Sequence, residues 1–386
     1  MIRIAVLILF LCTNACQGGQ PTGGMPVLGA DQLDFILPKL AGKRVALLVN
    51  HTSMVGKTHL ADTLLARGAN IKKIFSPEHG FRGNADAGEK TKDGVDPTTG
   101  LPIVSLYGNS KKPTAAQLKD VDIVIFDIQD VGLRFFTYIS SLHYMMEACA
   151  ENNKLLMVLD RPNPHGSYVD GPILEPHFKS FVGMHPIPIV HGMTLGEMAQ
   201  MINGEGWLEG QVRCKLVVIP MKNYLREIPY TLPIKPSPNL PTQNAILWYP
   251  SICLFEGTVI SVGRGTPFPF EVIGNPDMKG YDFQFTPISI EGMSKNPPHQ
   301  NQVCFGLDLR TVTPDRGISL KYLIEFYNNY PKKGEFFTPY FNTLAGTDQL
   351  KAQIISGLDE KEIKGTWQRD INAFKARRAK YLLYPQ

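Results

Sequence analysis

Val121-Asp122-Ile123-Val124-Ile125-Phe126, followed at once by Asp127-Ile128-Gln129-Asp130, decides the fold. A run that is apolar at nearly every position, not at every second one, is what a strand buried on both faces requires, and such strands belong to parallel sheets covered by helices on either side. The same grammar recurs. Val45–Val49 ends at Asn50-His51, Ile71–Phe75 ends at Ser76-Pro77-Glu78-His79-Gly80-Phe81-Arg82-Gly83, and Leu155–Leu159 ends at Asp160-Arg161-Pro162-Asn163-Pro164. Shorter strands are expected at Ile103–Leu106 and Lys215–Ile219, with helices over Thr58–Arg67, Tyr138–Glu151 and Thr194–Asn203. Strands alternating with helices give an α/β chain with a doubly wound parallel sheet.

Prolines at 229, 233, 236, 238 and 241 exclude regular elements and mark a crossing between domains. Beyond it the pattern gives a short strand over Val303–Leu309 and helices near Leu320–Tyr330, Asp348–Gly357 and Trp367–Arg378. Leu320, Leu323, Ile324 and Tyr327 keep the spacing of a buried helix face, as do Trp367, Ile371 and Phe374. The expected division is a leader over residues 1–25, a larger α/β domain over 26–228 and a smaller α/β domain over 229–386.

At 386 residues the chain is long enough for two domains, and 43% hydrophobic with 19% charged residues is ordinary for a globular protein. The net charge of +4, with no basic run longer than a pair, gives no electrostatic footprint for nucleic acid. Met1-Ile2-Arg3 and the apolar run Ile4–Leu11, too short to span a bilayer, read as a secretory signal. Ala15-Cys16 then suggests a lipoprotein with Cys16 acylated, which would be the protein's one link to a membrane. Asn14 departs from the usual small-residue pattern, so plain cleavage stands beside lipidation. The expected location is the periplasm or outer membrane of a Gram-negative cell. Cys149, Cys214, Cys253 and Cys304 have no CxxC spacing, which argues against structural zinc; the plain reading of Cys149, Cys253 and Cys304 is small buried hydrophobes.

Four polar clusters fall at strand ends: Asn50-His51, Glu78-His79, Asp127-Gln129-Asp130 and Asp160-Arg161-Asn163. In a parallel sheet these ends share one edge, where open α/β folds hold ligands. Glu78 is the first catalytic candidate, because Pro77 and Gly80 fix a tight turn around it. His79, Asp127 and Asp130 are the others. The plainer readings are a solvated loop acid for Glu78, helix capping for Asp127 and Asp130, and a turn ion pair for Asp160 with Arg161. Arg82, Arg134 and Arg264 are the anion-binding candidates, and the glycines flanking Arg264 permit close backbone approach. A dinucleotide site needs a glycine-rich turn after the first strand, but His51–Gly56 has one glycine; Gly56-Lys57-Thr58 lacks the first glycine of a P-loop. No cofactor is expected. His51, His79, Asp127 and Asp160 could ligate a metal, but no HExxH or HxH spacing supports one, so no metal is assigned.

Several of these stretches together resemble one family. They are Ser76–Gly83, Phe126–Gly132 with Arg134 and Tyr138, Leu159–Pro164, Asp170-Gly171-Pro172, Glu256-Gly257-Thr258 and Gly263–Thr266. The chain is similar, along essentially its whole mature length, to the exo-acting β-N-acetylmuramidases, long catalogued as a domain of unknown function. The resemblance implies a Rossmann-like domain with a smaller C-terminal domain, a site in the cleft between them, and removal of a non-reducing terminal N-acetylmuramic acid from peptidoglycan fragments. It also implies Glu78 as the catalytic acid. Glycoside hydrolysis by paired carboxylates agrees with the strand-end acids. The sugar's lactyl carboxylate would need a guanidinium from Arg82, Arg134 or Arg264. Tyr138 could cover the sugar, and Asn50, His51, Gln129, Asp160, Arg161 and Asn163 are the remaining substrate-binding candidates. Two rivals stay open: a metal-dependent hydrolase or deacetylase of cell-wall sugars, and a non-catalytic muropeptide-binding lipoprotein.

Overall fold

The structure, a computed structural model, describes residues 24–78, 80–82, 93–108 and 110–385. Cys16 and the leader, and also His79, lie outside the described residues. Six parallel strands form the central sheet: β1 (Arg44–Val49), β2 (Asn70–Ser76), β3 (Pro102–Ser105), β4 (Ile123–Asp127), β5 (Leu155–Leu159) and β6 (Lys215–Ile219). Their order is β6-β5-β4-β1-β2-β3, with the two-residue strand Gly94–Val95 added antiparallel at the β3 edge. This is the order of a Rossmann-type sheet, with the direction of winding reversing between β1 and β4.

Alternate residues of each strand face opposite sides, and both sides are apolar, so each strand feeds two cores. From β1, Val45, Leu47 and Val49 pack with Ile36 and Leu40 of the helix Leu33–Leu40 and with Leu60 and Leu64 of the helix Leu60–Ala66. Ala46 and Leu48 face the other way, into the core built by α1 (Tyr138–Glu151) and α2 (Leu195–Gly204). α2 starts where the sequence places it: Thr194 accepts from Glu197 N at its amino end, and the Glu197 carboxylate returns the bond to Thr194 N in a capping box. The segment after β1 differs from expectation. Gly56, at φ +56°, turns a two-stranded hairpin, Met54–Val55 against Thr58–His59, and the helix begins only at Leu60.

The second half holds a three-stranded antiparallel sheet with Cys304–Asp308 between Val272–Asn275 and Phe283–Phe285. The helix Lys321–Asn329 turns Leu323, Phe326 and Tyr327 inward, and the last helix, α4 (Glu360–Arg378), buries Trp367, Ile371 and Phe374. Among the helices not foreseen is α3 (Gln243–Ile252), directly after the proline-rich passage, with Pro250 near its end and Thr242 accepting from Ala245 N as its cap. The four cysteines among the described residues, Cys149, Cys214, Cys253 and Cys304, are buried free thiols. Among the described residues no helix is long and apolar enough to cross a membrane.

The chain end returns to the first half. After α4, Arg378 donates to the carbonyls of His191 and Gly192, and the Tyr384 hydroxyl donates to Asp160 Oδ2 at 2.5 Å while accepting from Met221 N at 2.9 Å. Asp160 also accepts from Thr194 Oγ1, Gly196 N and Arg161 N, so this carboxylate at the end of β5 ties three elements together. Tyr384→Phe removes one charge-assisted bond and leaves both partners buried, a loss of about 1–3 kcal/mol. The urea midpoint of the variant should fall accordingly; an unchanged midpoint would show that the C-terminal clamp carries no stability.

Candidate active site

Register sets the first wall of the site. β2 and β3 pair with Ser76 opposite Ser105, so the chains leave the sheet side by side and Glu78 and Tyr107 each stand two residues beyond it. Gly80 N bonds Pro77 O at 3.2 Å, closing the turn around Glu78, and Gly80 takes φ +77°, which its lack of a side chain permits. The Tyr107 hydroxyl hydrogen-bonds the Glu78 carboxylate, and burial together with that charge raises the phenol well above its usual range. Thr137, the residue preceding α1, donates from Oγ1 to Glu78 Oε2 at 2.9 Å. Glu78 is thus half-buried and held by two neutral hydroxyls.

Glu78 opens onto a cavity of about 200 Å³ between the two halves of the chain. Phe135, Phe136 and Tyr138, following β4, form its apolar side, and the Tyr138 hydroxyl is fixed by Asn50 Nδ2 at 2.9 Å. Ser237 and Asn239 of the proline-rich passage contribute another side. Glu256, in the short 3₁₀ turn Cys253–Gly257 that ends α3's run, lines the cavity as well. Gly257 lets the helix Tyr340–Ala345 pack directly on this turn, since a Cβ there would meet Phe341 Cα at 2.4 Å. Arg264 lies between Gly263 and Gly265, both at φ +79°, and its Nε hydrogen-bonds Glu256 Oε1 while its guanidinium carbon lies 5.1 Å from the Phe270 ring centroid. Burial alone would lower the Arg264 pKa, but the Glu256 charge outweighs it and holds the guanidinium firmly protonated. Arg264 Nη1 is buried with no hydrogen-bond partner among the described residues.

Of the residues singled out from sequence, Glu78, Tyr138 and Arg264 line this cavity. Most of the others form a self-satisfied network at the sheet's winding reversal. Asp127, fully buried, pairs with Arg161 through Nε–Oδ1 at 2.5 Å and Nη2–Oδ2 at 2.8 Å. Asn50 Oδ1 accepts from Thr52, Gln129 donates to the carbonyls of Asp130 and Pro162, and Asn163 bridges His165 N and Met193 O. His51 bonds the Lys235 carbonyl at 2.9 Å. Arg82 is engaged by Asp96 at 2.9 Å and Asp62 at 3.5 Å and covers Phe81. Arg134, another of the three anion-binding candidates, is fully buried instead. Its guanidinium donates to the carbonyls of Pro172, Ile187, Leu344 and Ala345, and burial pulls its pKa down to about 9.

Sequence reasoning passed over Glu256 as a site residue, although Glu256-Gly257-Thr258 was among the stretches carrying the resemblance; Tyr107 gave no signal beyond its place after a short strand. Asp130 also lies off the cavity wall. Its Oδ1 accepts from Gly132 N at 2.6 Å, its Oδ2 is buried without a partner among the described residues, and burial outweighs the backbone donors to push its pKa up to about 7. Because that value lies above the ordinary 3.8, the protonated form is favoured by folding. The stabilisation it gives is complete below pH 3.8 and is gone once pH has risen through about 7. The thermal midpoint of the native protein should therefore fall more between pH 5 and pH 7.5 than that of Asp130→Asn; parallel curves would refute the buried neutral acid.

Residues 45–244 match the family described as exo-β-N-acetylmuramidase NamZ, N-terminal, and residues 247–384 match its C-terminal counterpart. A Bacillus subtilis (strain 168) protein described as peptidoglycan β-N-acetylmuramidase NamZ is 39% identical over 378 residues, covering 91% of this chain and 90% of that protein. Two crystal structures of DUF1343 family proteins from Bacteroides fragilis NCTC 9343 share the fold. One is 51% identical with a TM-score of 0.88 over 94% of this chain and 100% of its own; the other is 28% identical with a TM-score of 0.80 over 93% and 99%.

Proposed function

The chain belongs to the exo-β-N-acetylmuramidase family, and from that premise we propose that it releases a terminal N-acetylmuramic acid from peptidoglycan fragments, with Glu78 and Glu256 as its two working carboxylates. The observation that carries the proposal is that these two acids line one cavity between the halves of the chain. Glycosidases need one carboxyl group protonated and the other ionised. Glu78, held by the hydroxyls of Thr137 and Tyr107, takes the acid's part, and Glu256, paired with Arg264, takes the other. In the reaction the C1–O bond breaks and its electron pair stays with the departing oxygen, which takes the Glu78 proton. Glu256 offsets the positive charge that develops on the ring, and water supplies the new oxygen at C1, its surplus proton passing to the carboxylate pair and so restoring one carboxylic acid for the next cycle. Export through the N-terminal signal, with or without a lipid at Cys16, would deliver this chemistry to the cell envelope.

Incubation with a muramic acid β-glycoside, followed by mass analysis of the released sugar, tests the activity. Glu78→Gln and Glu256→Gln should each lower turnover by at least ~10²-fold with the fold intact, since placed proton transfer typically contributes ~10²–10⁴-fold. Near-native turnover in either variant would remove that carboxylate from the mechanism.

The lactyl carboxylate of muramic acid calls for a cation, and of the three arginines considered, Arg264 lies on the cavity wall. Losing one partner of a desolvated charge pair costs roughly 2–5 kcal/mol. Native protein should prefer the free acid over its lactyl carboxamide by a factor of about 30 or more, at 1.4 kcal/mol per tenfold, and Arg264→Gln should bring that preference close to one. Comparing the two substrates cancels the effect of unpairing Glu256. A preference that survives the substitution would assign the lactyl group to another residue.

A further inference from the structure

Residues 180–183 form a feature that the two-carboxylate chemistry leaves unused. Ser180 N bonds Gly183 O at 2.9 Å and Gly183 N returns a bond to Ser180 O at 3.1 Å, a tight turn that carries Phe181 and Val182 at its tip. Both side chains are half-buried and line the cavity. The turn is anchored, because Ser140 Oγ of α1 donates to Phe181 O at 2.7 Å. Ser140 stands three residues after Thr137, which holds Glu78, so the same helix end fixes both the acid and this turn.

Rings surround the tip. Phe181 lies 6.3 Å from Tyr107, the phenol bonded to Glu78, and 6.3 Å from Tyr144 in a near-parallel stack at 15°. Lys111 Nζ lies 5.0 Å from the Phe181 centroid. All four of these residues are half-buried. A rigid turn that presents an aromatic face next to the acid's own hydrogen-bond partner is suited to a flat, partly apolar ligand, and the C–H face of a pyranose is one.

We infer that Phe181, beside Tyr107 and backed by Tyr144, is the platform for the leaving saccharide: the pyranose whose oxygen takes the proton. The inference rests on the reading of Glu78 as the acid. A proton donor must lie within hydrogen-bond reach of the departing oxygen. The sugar bearing that oxygen therefore lies on the Glu78 side of the cavity, beside Tyr107, while the released sugar lies toward Glu256 and Arg264. Loss of the platform weakens substrates whose leaving group is a sugar ring and has no counterpart for a leaving group without one.

The test compares a muramyl disaccharide with the muramyl fluoride, whose leaving group is a single atom. The ratio of kcat/KM for the disaccharide to that for the fluoride should fall about tenfold in Phe181→Ala, chiefly through KM, and recover in Phe181→Tyr, which keeps an aromatic face. An unchanged ratio in Phe181→Ala, or a Phe181→Tyr variant as impaired as Phe181→Ala, would overturn the platform. Should Phe181→Ala not fold, Phe181→Leu serves for the same ratio. Native protein that hydrolyses neither substrate would instead refute the glycosidase reading, so the two failures are distinguishable.

Discussion

The walls of the cavity depend on one buried guanidinium. Arg134 gathers carbonyls from residues 172 and 187 of the first half and from 344 and 345 of the second. Phe135 and Phe136, next to it in the chain, and Leu344, one of its acceptors, all line the site. A buried charge with no carboxylate beside it among the described residues is costly, and here backbone dipoles are what stabilises it. Gly346, at φ +75°, makes the approach feasible, since a Cβ there would lie 2.6 Å from Arg134 Nη2. Truncating Arg134 would leave buried carbonyls without donors exactly where the two halves meet, which is why its contribution is to the shape of the site.

Given that frame, the two acids differ in environment and not in residue type. Glu256 sits against a guanidinium, and Glu78 against two hydroxyls and the aromatic side of the cavity. Tyr138 adds to the asymmetry: burial first, and then the Glu78 charge, keep its phenol protonated, and Asn50 donates to its oxygen, so its hydroxyl proton is available to a neighbouring acceptor.

Much of this was legible in the sequence. The six sheet strands follow from apolar runs that no single-faced element would need, and α1 and α4 follow from helical spacing and, for α1, from its place between two such runs. Glu78 was legible because a proline and a glycine bracket it at a strand end. The rest was hidden for definite reasons. Asp127, Asp160 and Arg161 have the same residue types and the same strand-end positions as a site, and nothing local distinguishes a buried network from a catalytic one. Arg134 looked like an anion binder because its acceptors lie 38 to 211 residues away. Glu256 follows a helix that the prolines around it conceal, and its relation to Glu78 exists only in three dimensions.

The closed winding reversal explains where the site went. In sheets of this order the crevice between the first and fourth strands commonly receives the ligand. Here the Asp127–Arg161 pair and the Ser53 hydroxyl on the Asp127 carbonyl occupy that position, and Arg161 reaches on to Met54 O. The open ends of the sheet are then those of β2 and β3, where Glu78 and Tyr107 emerge in register. A strand end displaced from the reversal has no partner loop on its outer side within the sheet. The second half of the chain therefore has to supply the facing wall, and it does so through α3, the turn bearing Glu256 and the Arg264 loop.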